Sequence, residues 1–103
     1  MTQVNVFYPS KEGARFDWAY YLGTHVPLAR RLFGGALKSI SIQEGLAGFA
    51  PGAPAAFVAM AQLTFDSVPA FQSAFAPIVE ELMGDIPKYT SIEPIIQFSE
   101  VKL

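Results

Sequence analysis

One side chain in this sequence titrates near neutral pH: His25, the only histidine among 103 residues. Advancing 100° per residue from Phe16 to Phe33, the side chains within about 60° of His25 are Trp18, Tyr21, Leu22, Leu28, Ala29 and Leu32. Asp17, Thr24, Arg30 and Arg31 fall outside that sector. An imidazole on such a stripe faces the core or a cavity within it. Apolar surroundings keep it neutral at pH 7, and a neutral imidazole accepts or relays a proton. Tyr21 stands one turn earlier on the same face, so a phenol and an imidazole can both reach one bound oxygen atom. Trp18, Leu28, Phe33 and Tyr89 are the residues expected to wall the ligand. The competing account is packing alone, a core imidazole satisfied by a backbone carbonyl and a polar side chain. Asn5, Glu44, Gln62, Gln97 and Glu100 are the candidate polar partners.

The remaining chemistry-bearing residues have simpler structural roles. Tyr20 points roughly 140° away from His25, which suits a rim or interface position. Asp17 fits a helix N-cap or an acidic first turn. Glu80 and Glu81 diverge by 100° on a helix and make a poor carboxylate pair, while Arg30 and Arg31 suit a solvated helix end. Met60 and Met83 are gap-fillers. Gly34-Gly35 and Gly45 to Gly48 lack the spacing of a phosphate-binding loop. Cysteine is absent, so disulfides, iron–sulfur clusters and thiolate chemistry are excluded, and one histidine argues against a zinc site. No metal and no bound organic cofactor are expected.

Composition narrows the partners. A formal net charge of -2 provides no broad cationic surface, so neither nucleic acid nor an anionic membrane is an expected partner. The sequence has no basic region followed by a long apolar run and no segment long enough to span a bilayer, so a cytoplasmic protein is expected. With 51% hydrophobic residues in 103, the chain suits one domain over 1–103.

The elements that position His25 follow from periodicity. Val4, Val6 and Tyr8 alternate with Gln3 and Asn5 in a first strand, ended by Pro9 to Gly13. The helix from Phe16 to Phe33 carries Pro27, whose missing N–H leaves the Gly23 carbonyl unpaired and predicts a bend near His25. Gly23 reduces crowding there, and Val26, preceding proline, is biased away from helical geometry. Gly34-Gly35 closes the helix, and Leu37 to Leu46 reads as a strand with one apolar face. Gly48 to Pro54 is a loop. Ala55 to Phe65 is apolar at both parities, which predicts a strand covered on both faces. Asp66 is placed to cap a second helix with Pro69 near its start, Pro77 to split it, and Gly84 to end it. Asp85 to Thr90 connects to a last strand from Ile92 to Leu103.

The order strand, helix, strand, strand, helix, strand predicts an α+β, ferredoxin-like βαββαβ fold, both helices on one face of a four-stranded antiparallel sheet. The other face is left as an exposed apolar surface, which predicts a homodimer with sheets packed face to face.

Phe16 to Leu28, with its aspartate, paired tyrosines and a histidine two residues before Pro27-Leu28, resembles the signature of the EthD family. Phe65 to Phe71, Asp85-Ile86-Pro87 and Ile92 to Gln97 resemble the same family, in the same order. The resemblance implies a dimeric α+β barrel with a pocket between sheet and helices. The family's name comes from a protein encoded with an ether-degrading cytochrome P450 system. Related barrels include cofactor-independent monooxygenases, lactone isomerases and polyketide-tailoring enzymes, and fold does not choose among them. The residues and the resemblance are compatible with two functions. The first is a cofactor-independent enzyme acting by proton transfer through His25 on a small apolar or aromatic metabolite, with Tyr21 orienting an oxygen. The second is an accessory protein that binds such a metabolite in a degradation pathway. A purely structural dimer would instead have a filled core at His25.

Overall fold

Along β1 (Thr2–Pro9), Val4, Val6 and Tyr8 share one parity, so one face of the strand can join a core. In the computed structural model, which describes all 103 residues, β1 is an inner strand of a four-stranded antiparallel sheet. Its companions are β2 (Ser39–Glu44), β3 (Phe57–Phe65) and β4 (Ile95–Glu100), in the order β2-β3-β1-β4. Register sets Val4 opposite Leu63 and Phe98, and Val6 opposite Ala61 and Ile96, so these side chains form a single face.

Two helical arms cover that face. The first runs through α1 (Trp18–Tyr20), a π turn (Tyr21–His25) and α2 (Val26–Phe33). The second is α3 (Val68–Phe75), a 3-10 turn (Ala76–Ile78) and α4 (Val79–Gly84), so Pro77 does split the helix. Ala29, Phe33 and Leu82 from the arms pack with Val4, Ala61, Leu63 and Phe65 from the sheet. A second cluster, Tyr8, Tyr21, Ala59, Tyr89 and Ile92, fills the other end. The topology is ferredoxin-like α+β.

Several local expectations are corrected. The strands are shorter: β3 begins at Phe57, and β4 begins at Ile95 because Pro94 has no N–H to enter a ladder. The second arm is capped by Ser67, whose Oγ accepts from the Ala70 N–H at 3.1 Å, while Asp66 is exposed near Lys38. The second face of the sheet is mixed rather than apolar. Phe7, Met60 and Ile95 share it with Asn5, Gln43, Gln62 and Gln97, because β3 is buried at one parity only.

Candidate functional site

The site begins with the proline. Pro27 cannot donate to the Gly23 carbonyl, and the chain responds by widening the turn before it. The Val26 N–H bonds to the Tyr21 carbonyl five residues back, and Val26 itself stays helical at φ −63°, ψ −46°. The expected bend is thus a π turn, and the expected departure of Val26 from helical geometry does not occur. Gly23 is not needed against tertiary crowding, since a Cβ there would meet no atom within 4 Å outside the helix's own backbone. The turn brings the Tyr21 and His25 rings nearly parallel, 15° apart, with centroids at 5.7 Å. Such turns recur at functional sites because they re-aim side chains within an otherwise regular helix.

The partner of His25 comes from the other arm. Asp85 follows α4 directly, and its Oδ2 lies 2.9 Å from His25 Nδ1. The residues after it are clamped against the start of the first arm. Arg15 donates to the carbonyls of Pro87 (2.6 Å) and Lys88 (3.2 Å), and the Asp17 N–H donates to the Tyr89 carbonyl at 2.7 Å. Tyr20 donates its hydroxyl to the second oxygen of Asp85 at 2.7 Å, and the exposed Lys88 ammonium stands 3.7 Å from that same atom. Both carboxylate oxygens therefore have partners in a residue only 6% exposed.

The electrostatics fix the protonation states. Burial lowers the pKa of His25 below its usual value, outweighing the opposing hydrogen bond and charge of Asp85. For Asp85 burial pushes upward, but the hydrogen bonds from Tyr20 and His25, with the charges of His25 and Lys88, together hold the carboxyl below its usual range. At pH 7 the pair is a carboxylate and a neutral imidazole. A carboxylate only accepts, so the shared proton sits on Nδ1 and Nε2 carries the free lone pair. Nε2 makes no hydrogen bond within the chain. Burial, reinforced by Tyr8, raises the Tyr21 pKa far above neutrality, so its phenol keeps its proton.

His25 borders a cavity of about 270 Å³ between sheet and helices. Of the residues around it, 16 of 18 are hydrophobic, and none carries a fixed charge. An engineered cavity of about 150 Å³ holds benzene, so the space suits a ligand on the order of ten non-hydrogen atoms. The cavity reaches the surface beside Met83, Ile96 and Phe98, which line it and are 38%, 46% and 42% exposed.

Of the residues singled out in the sequence, His25, Tyr21 and Phe33 border this cavity. Tyr89 does not line it. Its ring is fully buried behind His25, centroids 4.6 Å apart, and its hydroxyl meets that of Tyr8 at 2.6 Å. Trp18 lies off the cavity, against Phe16 and Tyr21. Leu28 faces a separate, mostly polar surface cleft that also touches Tyr20 and Asp85. Asp17 is the N-cap, accepting from the Tyr20 N–H at 3.1 Å. No group of three or more His, Cys, Asp or Glu side chains is placed to hold a metal ion.

Asp85 and Tyr20 are the functional candidates that sequence reasoning missed. None of Asn5, Glu44, Gln62, Gln97 and Glu100 meets the imidazole; Asn5, for one, bonds Ser99 at 2.9 Å on the opposite face of the sheet. Nothing local marks Asp85, which leads into the 3-10 turn Ile86–Lys88 and meets His25 from 60 positions away.

A family model described as the EthD domain matches residues 12–93. An EthD-like protein from Ralstonia eutropha JMP134 is 46% identical, covers 99% of this chain and 92% of its own, and superposes with a TM-score of 0.95. An ethyl tert-butyl ether degradation (EthD) family protein from Bacillus halodurans C-125 is similar at 20% identity over 99% of both chains, with a TM-score of 0.76. An antibiotic biosynthesis monooxygenase is similar at 12% identity over 100% of both chains, with a TM-score of 0.52. The last two carry the fold alone, that of the dimeric α+β barrels. No curated protein matches the chain.

Proposed function

The chain belongs to the EthD family, and from that premise we propose that it is a proton-transfer enzyme acting on a small, mostly apolar metabolite, with His25 as the base. The observation that carries this function is the division of labour between the two nitrogens of His25. Nδ1 is held by Asp85, leaving Nε2 as an unpartnered acceptor on a ring that borders the apolar cavity. Core packing alone needs neither the carboxylate nor the empty space.

The step fits a substrate with an acidic C–H beside a carbonyl. His25 Nε2 takes the proton, the C–H electron pair moves onto the carbonyl oxygen as an enolate, and the Tyr21 hydroxyl donates a hydrogen bond to that oxygen. Asp85 acts through His25 as a positioning residue, fixing the tautomer and stabilising the imidazolium. Returning the proton to the same or a neighbouring carbon completes an exchange or an isomerisation. Neither needs metal or organic cofactor.

We also propose that the protein works as a homodimer through the uncovered sheet face. Phe7, Met60 and Ile95 lie on that face, and Ile95 is 54% exposed. A second sheet packed on it would cover these apolar side chains.

The test is deuterium exchange at the α-carbon of 4-phenyl-2-butanone in D2O, followed by NMR. Exchange catalysed by the native protein and reduced to background by His25→Ala, with circular dichroism unchanged, supports the proposal. Undiminished exchange in His25→Ala overturns it. Binding of the ketone without any exchange assigns the site to carriage of a metabolite instead.

A further inference from the structure

We propose that the cavity selects a neutral amphiphile, with an uncharged O–H head against His25 and a hydrocarbon tail among Phe33, Phe71, Phe75 and Phe98. The inference rests on the site proposed above but not on its turnover.

The axis is built into one helix face. His25, Ala29 and Phe33 all border the cavity and stand on successive turns, so about 12 Å of helix separates the first from the last. The chemistry changes along that distance. At the His25 end stands Tyr21, its ring 5.7 Å from the imidazole, with the Tyr8 ring 6.0 Å beyond it, and both phenols border the cavity. Around Phe33 lies a chain of aromatic contacts: Phe33 with Phe71 at 5.8 Å, Phe71 with Phe75 at 5.1 Å, and Phe71 with Phe98 at 5.3 Å. Ala29, small and central, leaves the passage between them open. Val6 packs against both core clusters, which places it beneath the junction.

The charge of the head follows from what is missing and what stands behind. No lysine or arginine borders the cavity, so an anionic head would be desolvated without a counter-ion. It would also meet the field of Asp85, which faces His25 from behind at 2.9 Å. A cationic head would find no carboxylate within the cavity. The free acceptor at Nε2 asks for a donor, and a neutral hydroxyl or enol supplies one.

Isothermal titration calorimetry at pH 7 with phenol, 4-propylphenol, 4-propylanisole and 4-propylbenzoate tests this. Each tail methylene should tighten binding by about fourfold. Removing the O–H donor in the anisole should weaken it by about tenfold, and the benzoate should bind more than about a hundredfold more weakly than the phenol of the same tail. Ala29→Leu should reduce 4-propylphenol to the affinity of phenol, and Phe75→Ala, reading the same axis independently, should shift the preference toward longer tails. A benzoate that binds as well as the phenol, no gain with tail length, or no binding by any probe overturns the inference. The phenols carry no acidic C–H, so their binding with no ketone exchange leaves this inference standing while the proton-transfer proposal fails. Ketone exchange with no tail preference has the opposite meaning.

Discussion

Asp85 holds His25 across 60 positions of sequence, Oδ2 to Nδ1 at 2.9 Å, and joins the two helical arms at the wall of the cavity. Replacing it by asparagine keeps the shape but removes the obligate acceptor and its charge. Asp85→Asn should slow ketone exchange by about 10²-fold or more. It should also move the pH midpoint of exchange downward, because the carboxylate is what raises the imidazole's basicity against burial. A pH–rate profile of the variant separates this positioning role from a loss of folding, which would lower the rate without moving the midpoint.

Acid should destabilise the protein in two stages. His25 and Asp85 both have native pKa values below their ordinary values of 6.5 and 3.8. In each case the unfolded chain binds protons more readily, so their contribution is complete above the unfolded pKa and lost as pH falls through the native one. Melting temperature should therefore fall as pH drops below 6.5, and the decline should flatten in His25→Phe over its first stage. Calorimetric scans from about pH 8 to about pH 2 cover both stages, and identical slopes in the two proteins between pH 6.5 and 3.8 would contradict it.

The hydroxyl pair behind the imidazole is a stability element. Tyr8 and Tyr89 are 2% and 0% exposed and meet at 2.6 Å. Tyr89→Phe leaves the Tyr8 hydroxyl buried without this partner and should cost about 1–3 kcal/mol in urea unfolding. A change below about 0.5 kcal/mol, within the range of neutral surface substitutions, would show that another group satisfies it.

The second arm offers a cleaner test of local structure. Ser67→Ala should cost about 1 kcal/mol by removing the N-cap acceptor, whereas Asp66→Ala should stay within about 0.5 kcal/mol. Equal costs for the two would return the cap to Asp66.

Local pattern carried the fold a long way. Alternation in β1, the split at Pro77 and the cap at Asp17 each depend on neighbours within a few residues, and each appears in the structure. Ser67 against Asp66 was not decided locally, since both are good caps and only the backbone chooses between adjacent positions. The core imidazole was legible because one polar residue interrupts an apolar stripe. Its partner was not, because Asp85 approaches through long-range packing of the clamp from Arg15 to Pro87 and Lys88. Tyr20 does stand at the rim, lining the surface cleft, but its bond to Asp85 was not legible, because only the fold places Asp85 to accept from both Tyr20 and His25.

Because the chain has a single histidine, the imidazole nitrogens can be observed without ambiguity by 15N NMR. The central claim is that His25 is a neutral base whose Nδ1 proton belongs to Asp85 and whose Nε2 faces the ligand. At pH 7 the spectrum should show Nδ1 protonated and Nε2 bare, with a titration midpoint below 6.5, and adding 4-propylphenol should shift Nε2 toward a hydrogen-bonded value. An Nε2-protonated tautomer, a midpoint above 6.5, or an Nε2 resonance indifferent to saturating ligand would contradict it.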